Sequence, residues 1–557
     1  MASIDFVVLI GYFAAVAAIS YWSSKKSLDS SENYFLSGRD VGWLAVGASL
    51  FASNISAEHF IGLAGSGASS GLAVGQFEWL ACFILLLLGW FFVPFYLRMG
   101  VFTMPQFLEQ RYDSRCRSYL SVVSLIAYVF TKVSVAVFAG ALVLREVLGW
   151  NIWAGAIVLV VATGIYTIFG GLRAVIYTEL LQAFILIAGG IFLTVAAIMK
   201  VGGLEALAGG VEPEFFNLWK NVNHPDFPWT GILFGAPILG VWYWCTDQMI
   251  VQRTLAARNV SEARRGTILA GFLKILPVFI LVLPGVAGRI LFPDTKPNDM
   301  YAKMVNELLP VGVKGMVVAA LLAALMSSLS AVFNSSSTLV VIDFYQRLRR
   351  KATERELVWS GEIAPAVVVV VGLVWIPFIG VVSDQLFVYL QSVQAYISPP
   401  IAAVFLIGLT WRRANAAGAF AALVIGFVLG AVRFVAELGV KSAEPWVTWG
   451  PLVQFAQINF LHVAIILFIV SVVVLVGVSL MRVGVIIRFV VAGVVLVVVP
   501  RMTGAPTANN QRVFDKTVAA AHDLRGAERT RINVVLSVIL VVAILGMWVY
   551  FSRLFFE

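Results

Sequence analysis

The sequence predicts an all-α polytopic membrane protein with about fourteen transmembrane helices of roughly 20 residues each. Three observations carry this. Of 557 residues, 60% are hydrophobic and only 12% charged, with a mean hydropathy of +0.93, where soluble chains run nearer ~45–50% apolar and ~25% charged. Apolar runs of membrane length recur along the chain, and alternate connecting loops are basic. Two of the runs are interrupted by polar residues and lie five spans apart, which is the arithmetic of an inverted repeat.

The first run, 4–22, lacks a basic lead-in and a small-residue cleavage site, so it reads as a retained helix and not a signal peptide. The second, 42–67, carries Ser53, Asn54, Ser56, Glu58 and His59 at its centre. Ser and Asn favour caps over helix interiors. Glu and His are costly at that depth unless they face a polar cavity. A break is therefore expected here, and non-helical backbone at membrane depth is tolerated only where protein buries it or it lines a cavity. The runs 75–97, 119–147, 152–169 and 174–199 complete a first group of five. The run 229–251 opens a second group and is disrupted by Trp242-Tyr243-Trp244-Cys245-Thr246-Asp247-Gln248. It is followed by 267–291, 313–345, 357–380 and 385–409, then by peripheral runs 416–437, 460–481 and 532–555. Discontinuous helices near the midplane hold solutes and ions in many secondary transporters.

Lys and Arg concentrate in alternate loops: Lys25, Lys26 and Arg39; Arg98, Arg111, Arg115 and Arg117; Arg173; Arg253, Arg258, Arg264 and Arg265; Arg347, Arg349, Arg350 and Lys351; Arg412 and Arg413. The net charge of +9 thus orients the chain in a bilayer and does not imply nucleic acid. The same rule places both termini outside, in the plasma membrane. Segment 485–500 is apolar but short and interrupted by Arg488, and is expected to lie in the interface, with 503–531 a cytoplasmic loop. The expected divisions are 1–41, a first repeat 42–201, an outer loop 202–228, an inverted repeat 229–412, peripheral helices 413–482, the interfacial segment and loop 483–531, and a last helix 532–557.

The polar residues within these spans are Asn54, Ser56, Glu58, His59, Glu78, Lys132, Glu179, Asp247, Lys274, Gln391 and Gln394. Any one could be a structural pair, and Lys132 is read so, but together they imply a polar cavity. Ser327 and Ser328, with a carbonyl one turn earlier, present oxygens to a point beside the backbone, as a hard cation such as Na⁺ needs; helix–helix bonding is the competing reading of two serines. No catalytic constellation is found: His59, His224, His462 and His522 are scattered, and HExxH, Walker A and Cys-x-x-Cys patterns are missing. Cys82, Cys116 and Cys245 are not expected to form a disulfide.

The strings SLFASNISAEHFIGLAGSGAS (49–69), GQFEW (75–79), YTIFGGLRAVIYTELLQ (166–182), WYWCTDQMIVQRTLAA (242–257), MSSLSAVFNSSSTL (326–339) and YLQSVQAYISPPIAAVFL (389–406) resemble the solute:sodium symporter family, sodium/glucose cotransporter branch, in order up to about residue 413. The resemblance implies a leucine-transporter-type inverted five-helix repeat. It implies a Na⁺ site of the carbonyls of Ala52, Ile55 and Ala324 and the hydroxyls of Ser327 and Ser328, in agreement with the serine cluster. It implies a sugar site of Asn54, Glu58, His59, Glu78, Lys274 and Gln391, with Tyr243 as inner gate and Phe77 and Phe387 closing the outer side. Glu179 stands where the branch usually has Asp, a position linked to a further cation site. Gly240 and Val388 replace residues that are often polar, and His59 replaces a Gln of some relatives.

The expectation is a Na⁺-coupled hexose importer, glucose or galactose in type, working by alternating access and not an enzyme. A ring of neutral hydroxyls with an apolar face suits several carboxylate and amide partners plus an aromatic platform. The alternatives are a symporter for myo-inositol or an organic anion, which would need more basic lining than Lys274, and a sugar sensor without flux.

Overall fold

The computed structural model describes residues 2–24, 30–379, 386–442, 444–480 and 531–552. Segment 485–500, the greater part of the loop at 503–531, and Lys25 and Lys26 lie outside the described residues. Among the described residues the regular structure is helical, apart from isolated bridges between Val41 and Ala257 and between Lys220 and Pro228. Ten helical stretches are long and apolar enough to cross a membrane. The other expected spans, 42–67, 152–169, 229–251 and 357–380, are also helical. The first and third are broken and the second is short, so length and apolarity alone stop at ten, below the expected count.

Both expected breaks are present. The first helix runs Trp43–Asn54 and resumes as Ala57–Ser70, with Ile55 (φ −78°, ψ 113°) and Ser56 (φ −125°, ψ −179°) extended between them. The Ser56 hydroxyl donates to the Glu58 carboxylate, and its backbone N–H donates to His59 Nδ1 at 3.4 Å. These bonds replace the helical ones lost at the gap. The second broken helix passes through a wide π turn, Val241–Thr246, before Asp247 goes extended (φ −74°, ψ 127°) and Gln248–Leu255 begins. Asp247 is the N-cap: its carboxylate accepts from the Met249 N–H at 3.0 Å.

The spans 152–169 and 174–199 are two helices, as expected, but the break between them is a single residue, Gly171 (φ 55°, ψ −162°), with no loop at Arg173. A side chain at Gly171 would meet the Tyr34 carbonyl at 2.8 Å as well as a left-handed backbone. The pair, Ile152–Val201, packs along Val313–Thr338, a helix buried over nearly all its length.

Several basic loop residues do more than set orientation. Arg111 is buried and donates to the carbonyls of Gly408 (2.7 Å), Ala414 (3.1 Å) and Trp411 (3.1 Å), capping the end of the helix Leu386–Thr410. Arg117 pairs with Asp343 at 2.7 Å. All three cysteines are buried thiols.

Candidate functional site

The gap in the first broken helix opens onto a central cavity. Asn54, Glu58, His59, Phe77, Glu78, Tyr243, Lys274, Ser328, Phe387 and Gln391 all line it, from seven separate helices or half-helices. The structure thus gathers every residue expected to touch or gate a sugar. Ser53, Lys132, Gly240, Trp244 and Gln394 line it as well. Gln394 lies three residues after Gln391, on the same helical face, and that spacing is the signal that identifies it. Val388 faces a different cavity, one shared with Arg433 and Glu437.

The charged groups of the cavity are engaged with polar neighbours. Lys274 Nζ donates to Asn54 Oδ1 and to the Glu78 carboxylate. His59 Nε2 lies 3.9 Å from Glu78 Oε1. Lys132, read from sequence as structural, does pair with Asp247, which also accepts from the Tyr128 hydroxyl. It also stands 4.7 Å over the Tyr243 ring, inside the cavity. Each lysine therefore meets a carboxylate, and Glu58 remains beside Ser56, so the lining offers no surplus of positive charge for an anionic solute.

About 80 Å³ of space remains, about half the roughly 150 Å³ of a cavity that takes up benzene. Phe77 and Phe387 form the roof, ring centroids 5.8 Å apart and edge to face, and Phe387 packs on His59 at 6.0 Å. This is a closed arrangement, and admitting a pyranose requires the roof or Lys274 to move. Gly62 allows the roof to sit so low: a methyl there would come within 2.7 Å of Phe387 Cβ and 3.4 Å of its backbone. Gly62→Ala should disfavour closure by about 1–3 kcal/mol through overpacking. The expected result is slower Na⁺-driven uptake with Na⁺-dependent solute binding retained, checked by comparing initial rates with equilibrium binding.

The expected ion ligands lie beside this cavity, with Ser328 in its wall and the others behind it. Ser327 Oγ donates to the carbonyls of Ala52 and Ala324, both at 2.9 Å, bridging the end of the first half-helix to Val313–Thr338. Ser328 Oγ reaches the carbonyls of Ala324 (3.1 Å) and Leu325 (3.2 Å). Ile55 is fully buried at the gap. Hydroxyl and carbonyl oxygens converge with no carboxylate among them, a donor set for a monovalent hard cation. Glu179 sits apart from this group. Its carboxylate accepts from Arg253 (2.9 Å) and from Ser49, and Arg253 Nε donates to Ser53 Oγ at 3.0 Å. Both members of the Glu179–Arg253 pair are completely buried, so a guanidinium already supplies the charge that a further cation would bring.

The family model for the sodium:solute symporter family matches residues 34–426. Sodium/glucose cotransporter 4 of Mus musculus is 44% identical over 476 residues, 79% of this chain and 70% of that protein. Sodium/glucose cotransporter 1 of Oryctolagus cuniculus is 40% identical over 519 residues, 86% and 78% of the two chains. The sodium/myo-inositol cotransporter of Homo sapiens is 42% identical over 487 residues, 79% and 68%. Among solved structures, a Na⁺-coupled sialic acid symporter in a substrate-bound outward-open state matches with a TM-score of 0.72 at 22% identity, covering 86% of this chain and 97% of that one. The nucleobase-cation-symport-1 family transporter Mhp1 matches at 0.52 and 18% identity, covering 80% and 94%. The fold is that of the leucine-transporter type.

Proposed function

The chain belongs to the sodium:solute symporter family, and from that membership we propose that it imports a hexose of the glucose or galactose type. It is a multi-pass membrane transporter, with Na⁺ as the co-transported ion, and not an enzyme. The observation that carries the hexose reading is the cavity itself: two carboxylates, three amides, an imidazole and two paired lysines around the Tyr243 ring. A pyranose can take these partners by exchanging its hydroxyls for the bonds they now make with each other, which keeps every buried polar group satisfied.

In this reading Asn54, Glu58, His59, Glu78, Lys274 and Gln391 bind the sugar, Tyr243 closes beneath it, and Phe77 and Phe387 close above it. Na⁺ sits among Ala52, Ile55, Ala324, Ser327 and Ser328, ties the first break to the facing helix, and sets Asn54 and Glu58 for sugar. Its release on the low-Na⁺ side frees the break and then the sugar. A second cation at Glu179 would have to replace Arg253, so one Na⁺ per sugar is the expected ratio. One inward charge gains about 2.3 kcal/mol per 100 mV of membrane potential. The chain is placed in the plasma membrane with both termini outside.

The second reading is myo-inositol, favoured by the 42% identity to the human sodium/myo-inositol cotransporter and by the same ring of neutral hydroxyls. The experiment is uptake of labelled glucose, galactose and myo-inositol into proteoliposomes under an inward Na⁺ gradient, with K⁺ in its place as the control. Na⁺-dependent accumulation of a hexose is the expected result. Accumulation of inositol alone selects the second reading, equal entry with either cation removes the ion site from the mechanism, and binding without accumulation turns the case to a sensor.

A further inference from the structure

The roof of the cavity does not end at the two phenylalanines. Phe77 also meets Phe227 edge to face, centroids 6.1 Å apart, and Phe227 stacks on His224 at 6.0 Å and 21°. With the His59–Phe387 and Phe387–Phe77 contacts, a continuous file of five rings runs from the cavity into loop 202–228. Phe227 is buried although it lies in a loop. The tight turn that presents it is closed by one atom: His224 Nδ1 accepts from the N–H groups of Asp226 (3.2 Å) and Phe227 (3.0 Å). Asn459 Nδ2 holds the turn from the neighbouring helix through the Pro225 carbonyl, at 2.6 Å.

We propose that Phe227 is a third and outermost plate of the outer gate, and that His224 is its latch, released by external acid. The proposal rests on the reading that Phe77 and Phe387 face outward. A nitrogen that accepts two N–H bonds carries no proton, and protonating it breaks both and frees the turn. Around the imidazole stand Asp226 on the same turn and Lys220 and Glu214 earlier in the loop. Lys441, ending the helix Ala416–Lys441, acts on Asp226. His462 on the adjacent helix is engaged with Thr230 at 2.7 Å. Burial lowers the His224 pKa below its ordinary value, opposed by Asp226. The latched turn therefore favours the neutral ring: the latch holds throughout the ordinary imidazole range and is lost as external pH falls below that range, through the lowered pKa.

The test uses the full chain in oriented proteoliposomes with a Leu390→Cys reporter, since Leu390 lines the cavity. An impermeant thiol reagent is added outside, and the parent chain with its three buried cysteines gives the baseline. Phe227→Ala should raise the labelling rate about fivefold or more, and Phe227→Leu, which keeps the burial, should raise it less. The parent rate divided by the Phe227→Ala rate at the same pH cancels the thiol's own ionisation. That ratio should climb toward one as pH falls below about 6.5, the ordinary imidazole value, for His224 and stay low for His224→Asn, whose amide oxygen can accept the same bonds without titrating. Unchanged labelling in both Phe227 variants overturns the gate, labelling only from the opposite face does the same, and an unaltered pH profile in His224→Asn overturns the latch. No sugar or Na⁺ is needed, so failed hexose uptake with altered labelling leaves the gate standing, and normal uptake with unaltered labelling sinks the gate alone.

Discussion

Ser328→Ala is expected to raise the Na⁺ concentration for half-maximal uptake by about 10- to 100-fold, because a bond from a neutral group to a charged one contributes about 1.5–3 kcal/mol. Sugar affinity at saturating Na⁺ should change little. The hydroxyl contacts the carbonyls of Ala324 and Leu325 on its own helix and none of the cavity carboxylates. Ser327→Ala should do at least as much, since Ser327 also reaches across the break to Ala52. The measurement is the Na⁺ dependence of initial uptake at saturating sugar, paired with the sugar dependence at saturating Na⁺. A half-saturating Na⁺ concentration that stays at the parent value in Ser328→Ala would falsify the ion site.

Arg253→Met is expected to cost about 3–5 kcal/mol of stability, the usual effect of leaving one member of a buried ion pair behind. Glu179 would then keep a charge in a fully buried place with only the hydroxyls of Ser49 and Ser53 to answer it. Adding Glu179→Gln should recover much of the loss, because it removes the uncompensated charge. Thermal unfolding in detergent gives the cycle of single and double variants, and uptake gives its functional side. The uptake side matters because Arg253 also bonds Ser53, one residue before Asn54. A double variant that is stable yet fails to couple Na⁺ to solute assigns the pair to positioning of the break. If Arg253→Met alone is as stable as the parent, the pair does not clamp these helices.

Both helix breaks were legible because their cause is local. Ser56 and Asp247 prefer caps, and each stands within a run otherwise too apolar for them. The tightness of the break at Gly171 was not legible. Its glycine pair and Arg173 look like a loop, and only the Tyr34 contact, more than a hundred residues away in sequence, shows why the chain turns within a single residue. Charge partners followed the same division. The sequence names Lys132, Glu179 and Lys274 as buried ions, but their partners lie 115, 74 and 196 residues away, and hydropathy holds no information about that pairing. Arg111 shows the cost: a basic loop signals orientation, while its bonds to three carbonyls some 300 residues further on come only from the fold. Phe227 was missed for a related reason, as the aromatics of this irregular loop, Phe215, Phe216, Trp219 and Phe227, follow no period that singles one out.

The gap at Ile55 and Ser56 has a further consequence when the two half-helices are viewed as electrical objects. The last turn of Trp43–Asn54 leaves carbonyls bare and carries about half a negative charge, while the first turn of Ala57–Ser70 leaves N–H groups bare and carries about half a positive one. Opposite poles thus face each other across two residues. Ala52 and Ser327 stand at the negative pole, and Glu58 and His59 at the positive one. One cut in one rod therefore presents opposite signs to two adjacent places, and a tilt of the outer piece changes the field at both together.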